Sequence, residues 1–134
     1  MPDRAKGRCE EVSQRTQAVY ADGRWNGKTL REWVPEAVDD IVKATDPVRV
    51  ILFGSVAKGE EGPDSDLDFL VVLDDVGSED RMRLMGEIRF AISAPAPIDI
   101  FVTDPQECER RKDVIGSVHY WPLREGVVVY ERVA

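Results

Sequence analysis

Two aspartates, Asp66 and Asp68, lie two residues apart at the start of an apolar segment of strand length. In a β-strand the side chains of residues i and i+2 point to the same face, so the two carboxylates converge on one spot. Residues 69–73 are continuously apolar, which is typical of a buried strand. Two like charges at such a strand are costly unless a cation compensates them. The spacing therefore favours a metal site over the alternative, a solvated strand end.

A third aspartate, Asp99, lies inside the apolar segment 98–102. Such an aspartate either faces a functional site or belongs to an edge strand and points to water, and both alternatives stay open. If its strand lies beside the one that begins at Asp66, the three carboxylates form a triad. Carboxylate oxygens are ligands of Mg²⁺, and Mg²⁺ brings a triphosphate to an acidic cluster that would otherwise repel it.

A glycine-serine pair, Gly54-Ser55, follows an apolar, β-branched segment at residues 48–53. The glycine permits a close backbone approach, and the residues after it can open a helix whose N–H groups face an anion. The structural alternative is an ordinary turn from a strand to a helix. The segment is not a Walker phosphate-binding loop, because the glycine-lysine spacing and the lysine-Ser/Thr pair of that motif are absent.

The aspartates Asp64, Asp66 and Asp68 also imitate the start of an EF-hand calcium loop. That loop requires glycine at its sixth position, where this sequence has Phe69, and solvated residues where this sequence is apolar. Asp75 at the twelfth position does not compensate for these departures. A calcium loop is therefore excluded.

The elements that position these residues follow the order α-β-α-β-α-β-α-β. Residues 29–44 have helical apolar periodicity, and Thr29 with Glu32 can form a capping box. Pro35 leaves two possible starts for this helix, at Thr29 or near Pro35 itself. The predicted strands are 48–53, 66–73, 98–102 and 127–130. This order predicts an α/β (α+β) protein with a small mixed sheet of three to four strands packed by helices.

Two further helices are expected between these strands. One begins at Ser78 or its neighbours with Glu79 and Asp80 in its first turn, and a second spans about residues 116–124. The apolar stripe of the first comprises Met82, Met85, Ile88 and Ile92. Residues 1–28 are predicted to be an N-terminal arm with a short helix around 10–20, and residues 29–134 a single domain.

The net charge of −8 over 134 residues disfavours strong nucleic-acid binding. No apolar segment is long enough for a membrane span, and the N-terminus lacks a hydrophobic signal region, so a cytoplasmic location is expected. Cys9 and Cys108 have no metal-ligand spacing, and the single histidine, His119, is expected to have a packing or surface role.

The three tryptophans, Trp25, Trp33 and Trp121, are interpreted as core or interface anchors rather than as surfaces on which a base stacks. Glu60 and Glu61 are expected to form a solvated loop face.

Gly54-Ser55, the segment Ser65-Asp66-Leu67-Asp68 and Asp99 resemble the nucleotidyltransferase pattern of the polymerase-beta-like superfamily. The resemblance covers about residues 48–103, and the tail 123–130 also looks like the end of small stand-alone members. The sequence is most similar to the MNT type, the minimal nucleotidyltransferase, which is usually the antitoxin partner of a HEPN-domain ribonuclease.

The resemblance implies a nucleotidyltransferase fold and a site for two Mg²⁺ ions and ATP or another NTP. It implies that Asp66 and Asp68 bind both metals and that Asp99 supports the ion at the nucleophile. Gly54 and Ser55 correspond to the pair that holds the triphosphate, and Ser65 is assigned with them to nucleotide binding. Lys58 stands where many relatives have arginine, so a point-charge contact with phosphate is expected there in place of a bidentate one.

The expected reaction is transfer of AMP to a hydroxyl, as in an antitoxin that modifies a tyrosine of a HEPN ribonuclease. Thirty-five residues follow Asp99, so a separate protein or a self-associated second copy is expected to complete the acceptor site. Two alternatives remain open: an antitoxin that binds nucleotide without catalysis and acts by occlusion, and a nucleotidyltransferase of a small acceptor such as an antibiotic.

Overall fold

The computed structural model describes residues 24–77 and 79–133. The helix expected around residues 10–20 lies outside the described residues. The division into an arm and a domain at residue 28 therefore stays a prediction.

Within residues 24–77 and 79–133 nine elements follow one another, one short helix more than the sequence predicted for that part of the chain. They are α1 (Leu30–Thr45), β1 (Arg49–Phe53), α2 (Ser55–Lys58), β2 (Leu67–Val72), α3 (Arg81–Ala91), β3 (Ile98–Thr103), α4 (Pro105–Arg111), α5 (Tyr120–Glu125) and β4 (Val127–Glu131). The strands form one sheet in the order β3-β2-β1-β4. β2 and β3 are parallel, whereas β1 is antiparallel to both β2 and β4. The predicted small mixed sheet packed by helices is confirmed.

The hydrophobic core lies on one face of the sheet, between the strands and the helices α1 and α3. Alternate strand residues supply it, among them Leu52 and Phe69, while Ile41 of α1 and Ile88 of α3 cover them. Its buried members are Leu30, Trp33, Ala37, Ile41, Val50, Leu52, Val56, Leu67, Phe69, Val71, Val76, Ile88, Ile92, Ala94, Ala96, Ile98, Ile100 and Val102. The opposite face carries the other residues of each strand and holds the candidate site.

Helix α1 begins at the earlier of its two predicted starts. The Thr29 hydroxyl accepts a hydrogen bond from the Glu32 backbone N–H at 3.3 Å, and the Glu32 carboxylate accepts one from the Thr29 N–H at 2.9 Å. Pro35 lies inside the helix, so the alternative start near Pro35 is wrong. The capping box and the buried face together outweigh the cost of the proline, about 3 kcal/mol in a helix interior.

Helix α3 differs from its prediction in its start and in its apolar face. It begins at Arg81, so Glu79 precedes the helix, and Asp80 occupies the N-cap position, without a side-chain capping hydrogen bond, instead of lying in the first turn. Met82 is 76% exposed and does not belong to the buried stripe. It lies six residues before the buried Ile88, roughly a third of a turn away around the helix. The tail helix α5 likewise begins later than predicted, at Tyr120.

Helix α4 is the element that the sequence analysis missed. The Asp104 carboxylate accepts hydrogen bonds from the N–H of Glu107 at 2.8 Å and from the N–H of Val76 at 3.0 Å, and Pro105 occupies the first turn. An aspartate followed by proline and an acidic residue is a helix-start signal present in the sequence. No helix in residues 24–77 or 79–133 combines the length and apolar character that crossing a bilayer requires.

The capping box of α1 generates a stability prediction. Thr29→Ala removes the acceptor for the Glu32 N–H, so the free energy of unfolding should fall by about 1 kcal/mol in chemical denaturation. Thr45→Ala is a matched control at the other end of α1, where the hydroxyl bonds only to the Ile41 carbonyl. A loss in the Thr45 variant equal to that in the Thr29 variant would contradict the role of the cap.

Candidate active site

Three aspartates meet on the face of the sheet opposite the core. The parallel pairing of β2 with β3 sets Asp68 directly beside Asp99, and Asp66 lies two residues before Asp68 on the same face. Each of the three offers a carboxylate oxygen within 4.8 Å of the others. The structure therefore brings together the three carboxylates that the sequence singled out.

The environment of this triad makes its negative charge unfavourable without a cation. Asp66 and Asp68 are half-buried and Asp99 is exposed. Burial raises the pKa of Asp66, and burial with repulsion from Asp66 and Asp99 raises the pKa of Asp68 to about 7. Within the part of the chain that the structure describes, no lysine or arginine pairs with any of the three. A set of converging, uncompensated carboxylate oxygens fits a hard divalent cation such as Mg²⁺.

Gly54 forms the turn that connects β1 to α2 and lies against the triad. Its φ of +86° belongs to a region that L side chains rarely adopt. A Cβ at this position would also overlap Oδ2 of Asp68. Glycine is therefore required both by the turn and by the close approach of a triad carboxylate. The helix that follows, α2, is a single turn.

The two serines assigned to nucleotide binding contact each other. The hydroxyls of Ser55 and Ser65 lie 2.8 Å apart, and the Gly62 N–H donates to the Ser65 Oγ at 2.8 Å. These bonds tie the loop after α2 to the residue immediately before Asp66. Ser65 thus helps to fix the position at which the first triad residue leaves the loop.

Lys58 faces the tail helix α5. Its Nζ lies 3.4 Å from Oε1 of Glu125, and both side chains are about half-exposed. Lys58, Gly54 and Glu125 line a cavity of about 260 Å³ together with Phe53 and Trp121. Trp121 and Glu125 are not predicted as site residues from the sequence, because their proximity to Gly54 depends on the long-range pairing of β4 with β1.

Close packing at Gly126, the residue that follows α5, fixes the position of this helix. A Cβ on Gly126 would lie 2.5 Å from Cγ2 of Ile51 in β1 and 2.5 Å from the Pro122 carbonyl oxygen. The chain then enters β4, whose Glu131 accepts a hydrogen bond from Arg49 of β1 at 2.8 Å. Close packing at Gly126 thus holds α5 against β1 beside the triad.

His119 and Cys108 lie apart from the triad. His119 is buried, its Nε2 is 2.7 Å from the Thr103 hydroxyl, and burial lowers its pKa. Burial also raises the pKa of the Cys108 thiol. Both are packing residues, which agrees with the role expected for His119.

Comparison with known families identifies the chain. Residues 31–122 match the family model described as nucleotidyltransferase domain. The chain belongs to the nucleotidyltransferase domain family. Comparison with curated proteins finds no match.

Two solved structures are similar to this nucleotidyltransferase. The crystal structure of a protein described as a putative nucleotidyltransferase from Sulfolobus solfataricus shares 21% identity, covers 77% of this chain and 81% of its own, and superposes with a TM-score of 0.55. This likeness supports the common fold. A toxin-antitoxin structure with AMP-PNP shares 17% identity over 72% of each chain, with a TM-score of 0.43.

The raised pKa of Asp68 predicts the pH dependence of stability in metal-free buffer. The pKa of Asp68 in the folded protein, about 7, exceeds its ordinary value of 3.8. The contribution of this carboxyl group to the free energy of unfolding is therefore fully present below about pH 4 and is lost as the pH rises through about 7. Asp68→Asn should therefore reduce the fall in melting temperature of the EDTA-treated protein over this range. Equal pH dependence in the wild type and the variant would contradict the prediction.

Asp74→Asn is the control for that experiment. It makes the same chemical change at an aspartate whose pKa is lowered instead of raised, so its effect on stability has the opposite pH dependence. A hydrogen bond from Arg132 lowers the pKa of Asp74, so its contribution is present above the ordinary pKa and lost as the pH falls. The Asp74 variant should be less stable than the wild type at neutral pH, and this difference should vanish in acid.

Proposed function

We propose that this protein is a Mg²⁺-dependent nucleotidyltransferase that moves AMP from ATP to a hydroxyl acceptor. The observation that carries the proposal is the convergence of the oxygens of Asp66, Asp68 and Asp99 within 4.8 Å, directly against Gly54. Membership of the family supports the reaction class. The uncompensated carboxylates support a divalent cation as the partner of the nucleotide.

Asp66 and Asp68 would hold two Mg²⁺ ions, and Asp99 would contribute to the one at the nucleophile. Bound there, the ions supply neutralisation of the phosphates and a lower pKa for the attacking hydroxyl. The raised pKa of Asp68 supports this assignment, because a bound cation would offset both the burial and the like-charge repulsion that raise it.

Gly54, Ser55 and Lys58 are assigned to the triphosphate. Gly54 leaves the backbone accessible beside Asp68, and the Ser55 hydroxyl can exchange its hydrogen bond to the Ser65 Oγ for one to a phosphate oxygen. Lys58 is paired with Glu125, but a pair between half-exposed side chains contributes little stability. The Lys58 ammonium is therefore free to move to a phosphate at small cost.

The proposed reaction is a displacement at the α-phosphorus of ATP. The acceptor oxygen attacks the α-phosphorus, a new O–P bond forms, and the bond between the α-phosphorus and the α,β-bridging oxygen breaks, releasing pyrophosphate. The proton of the hydroxyl passes to Asp99, which the proposal assigns to the nucleophile's side. No covalent intermediate with the protein is required.

The exposure of Asp99 supports a macromolecular acceptor. Small-molecule sites are concave and bury most of their ligand, whereas this side of the triad is open to solvent. An open site suits a hydroxyl presented on the surface of another protein. We assign that hydroxyl to a tyrosine of a HEPN-domain ribonuclease, the usual partner of the minimal type that the motifs resemble, and expect AMP transfer to inactivate it.

The function is tested by incubating the protein and Mg²⁺ with ATP labelled at the α-phosphate and the protein encoded by the neighbouring gene. Label on that partner, absent when EDTA is added, is the expected result. Tight binding to the partner without transfer would replace the proposal with occlusion. Label on a small hydroxyl compound but not on the partner would replace it with a small-molecule transferase.

The triad predicts different effects for its three members. Asp66→Asn and Asp68→Asn should abolish transfer and lower the affinity for Mg²⁺-ATP, because both side chains are assigned to metals that also hold the triphosphate. Asp99→Asn should retain Mg²⁺-ATP binding while transfer falls by about 10²- to 10⁴-fold, as expected when one positioned proton acceptor or charge-stabilising group is lost. ATP titrations and transfer rates measure both quantities.

Asp64→Asn is the matched control for the triad variants, because Asp64 is an exposed aspartate two residues before Asp66. It should bind and transfer as the wild type does. Full activity in the Asp66 or Asp68 variant would refute the proposed mechanism, and unchanged transfer by the Asp99 variant would remove that residue from it.

A further inference from the structure

A small cavity adjoins the triad on the side of the tail helix. It occupies about 260 Å³ between the end of β1, the single turn of α2 and α5. Gly54 lines this cavity and also lies against the Asp68 carboxylate, so the cavity and the triad are neighbours on either side of Gly54. Its other walls are the side chains of Phe53, Lys58, Trp121 and Glu125.

Trp121 presents an aromatic surface to this cavity. It is 55% exposed, whereas Trp33 of the core is 7% exposed. The ring of Tyr120 packs against Trp121 edge-to-face, with centroids 4.9 Å apart at 84°, and the Arg124 guanidinium lies 3.9 Å from the centre of the Tyr120 ring. These contacts support the indole from one side and leave the rest of it accessible.

The lining indicates which part of a nucleotide fits. The volume is below the roughly 300–1,000 Å³ of pockets that enclose a whole ligand, so the cavity takes a fragment. Lys58 lines the same cavity and is assigned to the triphosphate, so the part of the cavity left for another group is the part beside Glu125. The Glu125 carboxylate disfavours a phosphate next to it, whereas it can accept a hydrogen bond from the exocyclic amine of a base. Its 3.4 Å separation from Lys58 is longer than a usual hydrogen bond and leaves this acceptor capacity available.

We propose that this cavity binds the base of the nucleoside triphosphate, stacked on Trp121, with Glu125 accepting a hydrogen bond from its exocyclic amine. The proposal rests on the proposed function and extends it, because it assigns base recognition to the tail helix. It also revises the interpretation of Trp121 from the sequence as a core or interface anchor. Aromatic side chains stack on every type of base, so the selectivity for a base with an exocyclic amine comes from Glu125.

The test compares Mg²⁺-ATP with Mg²⁺-tripolyphosphate, which has the phosphates but no base, by titration calorimetry. Trp121→Ala should weaken ATP binding by about 5- to 100-fold, the effect of losing one base-stacking aromatic, and leave tripolyphosphate binding unchanged. Trp121→Phe should retain most of the affinity. Phe90→Ala is the control, because Phe90 is an aromatic residue that is 92% exposed and does not line the cavity.

Glu125→Ala supplies a second measurement. It should reduce the preference for ATP over the purine nucleoside triphosphate that lacks the 6-amino group, because the hydrogen-bond acceptor is lost. An unchanged preference would remove Glu125 from base recognition.

The outcomes separate the failure of this inference from that of the proposed function. Wild-type affinity for ATP in the Trp121→Ala variant, or an equal loss of ATP and tripolyphosphate affinity, would overturn base stacking while the nucleotidyltransferase function stands. A wild-type protein that binds neither ligand in the presence of Mg²⁺ would overturn both.

Discussion

The parallel pairing of β2 with β3 is the constraint on which both the core and the site depend. Its register places Asp68 beside Asp99 and, one residue further along, Phe69 beside Ile100. Because side chains alternate between the two faces, a slip of one residue would carry Asp99 into the apolar core and Ile100 to the site. The burial of Phe69 and Ile100 beneath α1 and α3 thus stabilises the same register that assembles the triad.

Assembling the triad opposes folding in the absence of a cation. The raised pKa values of Asp66 and Asp68 reflect carboxylates that are drawn from water and placed beside like charges. The opposite face of the same strands is fully apolar and covered by helices, and its burial stabilises the folded state. This stabilisation offsets the unfavourable free energy of bringing the three carboxylates together.

Sequence periodicity predicts the features that depend on neighbouring residues. The strands, the sharing of one face by Asp66 and Asp68, and the capping box of α1 all follow from local spacing. Helix α4 has a local signal as well, in the aspartate and proline at its start. The contribution of Trp121 to the cavity has no such signal, because it requires β4 to pair with β1 across most of the chain.

The tail consists of α5 followed by β4, and among the residues that the structure describes β4 is an edge strand whose one neighbour is β1. Edge strands of this kind open locally at a lower free energy than the centre of a sheet. Opening of β4 would release Gly126 from Ile51 and carry α5 away from Gly54, removing one wall of the cavity while β2 and β3 keep the three aspartates in place. Amide hydrogen exchange in the tail and occupancy of the cavity are thus thermodynamically linked: whatever fills the cavity must also slow exchange in β4.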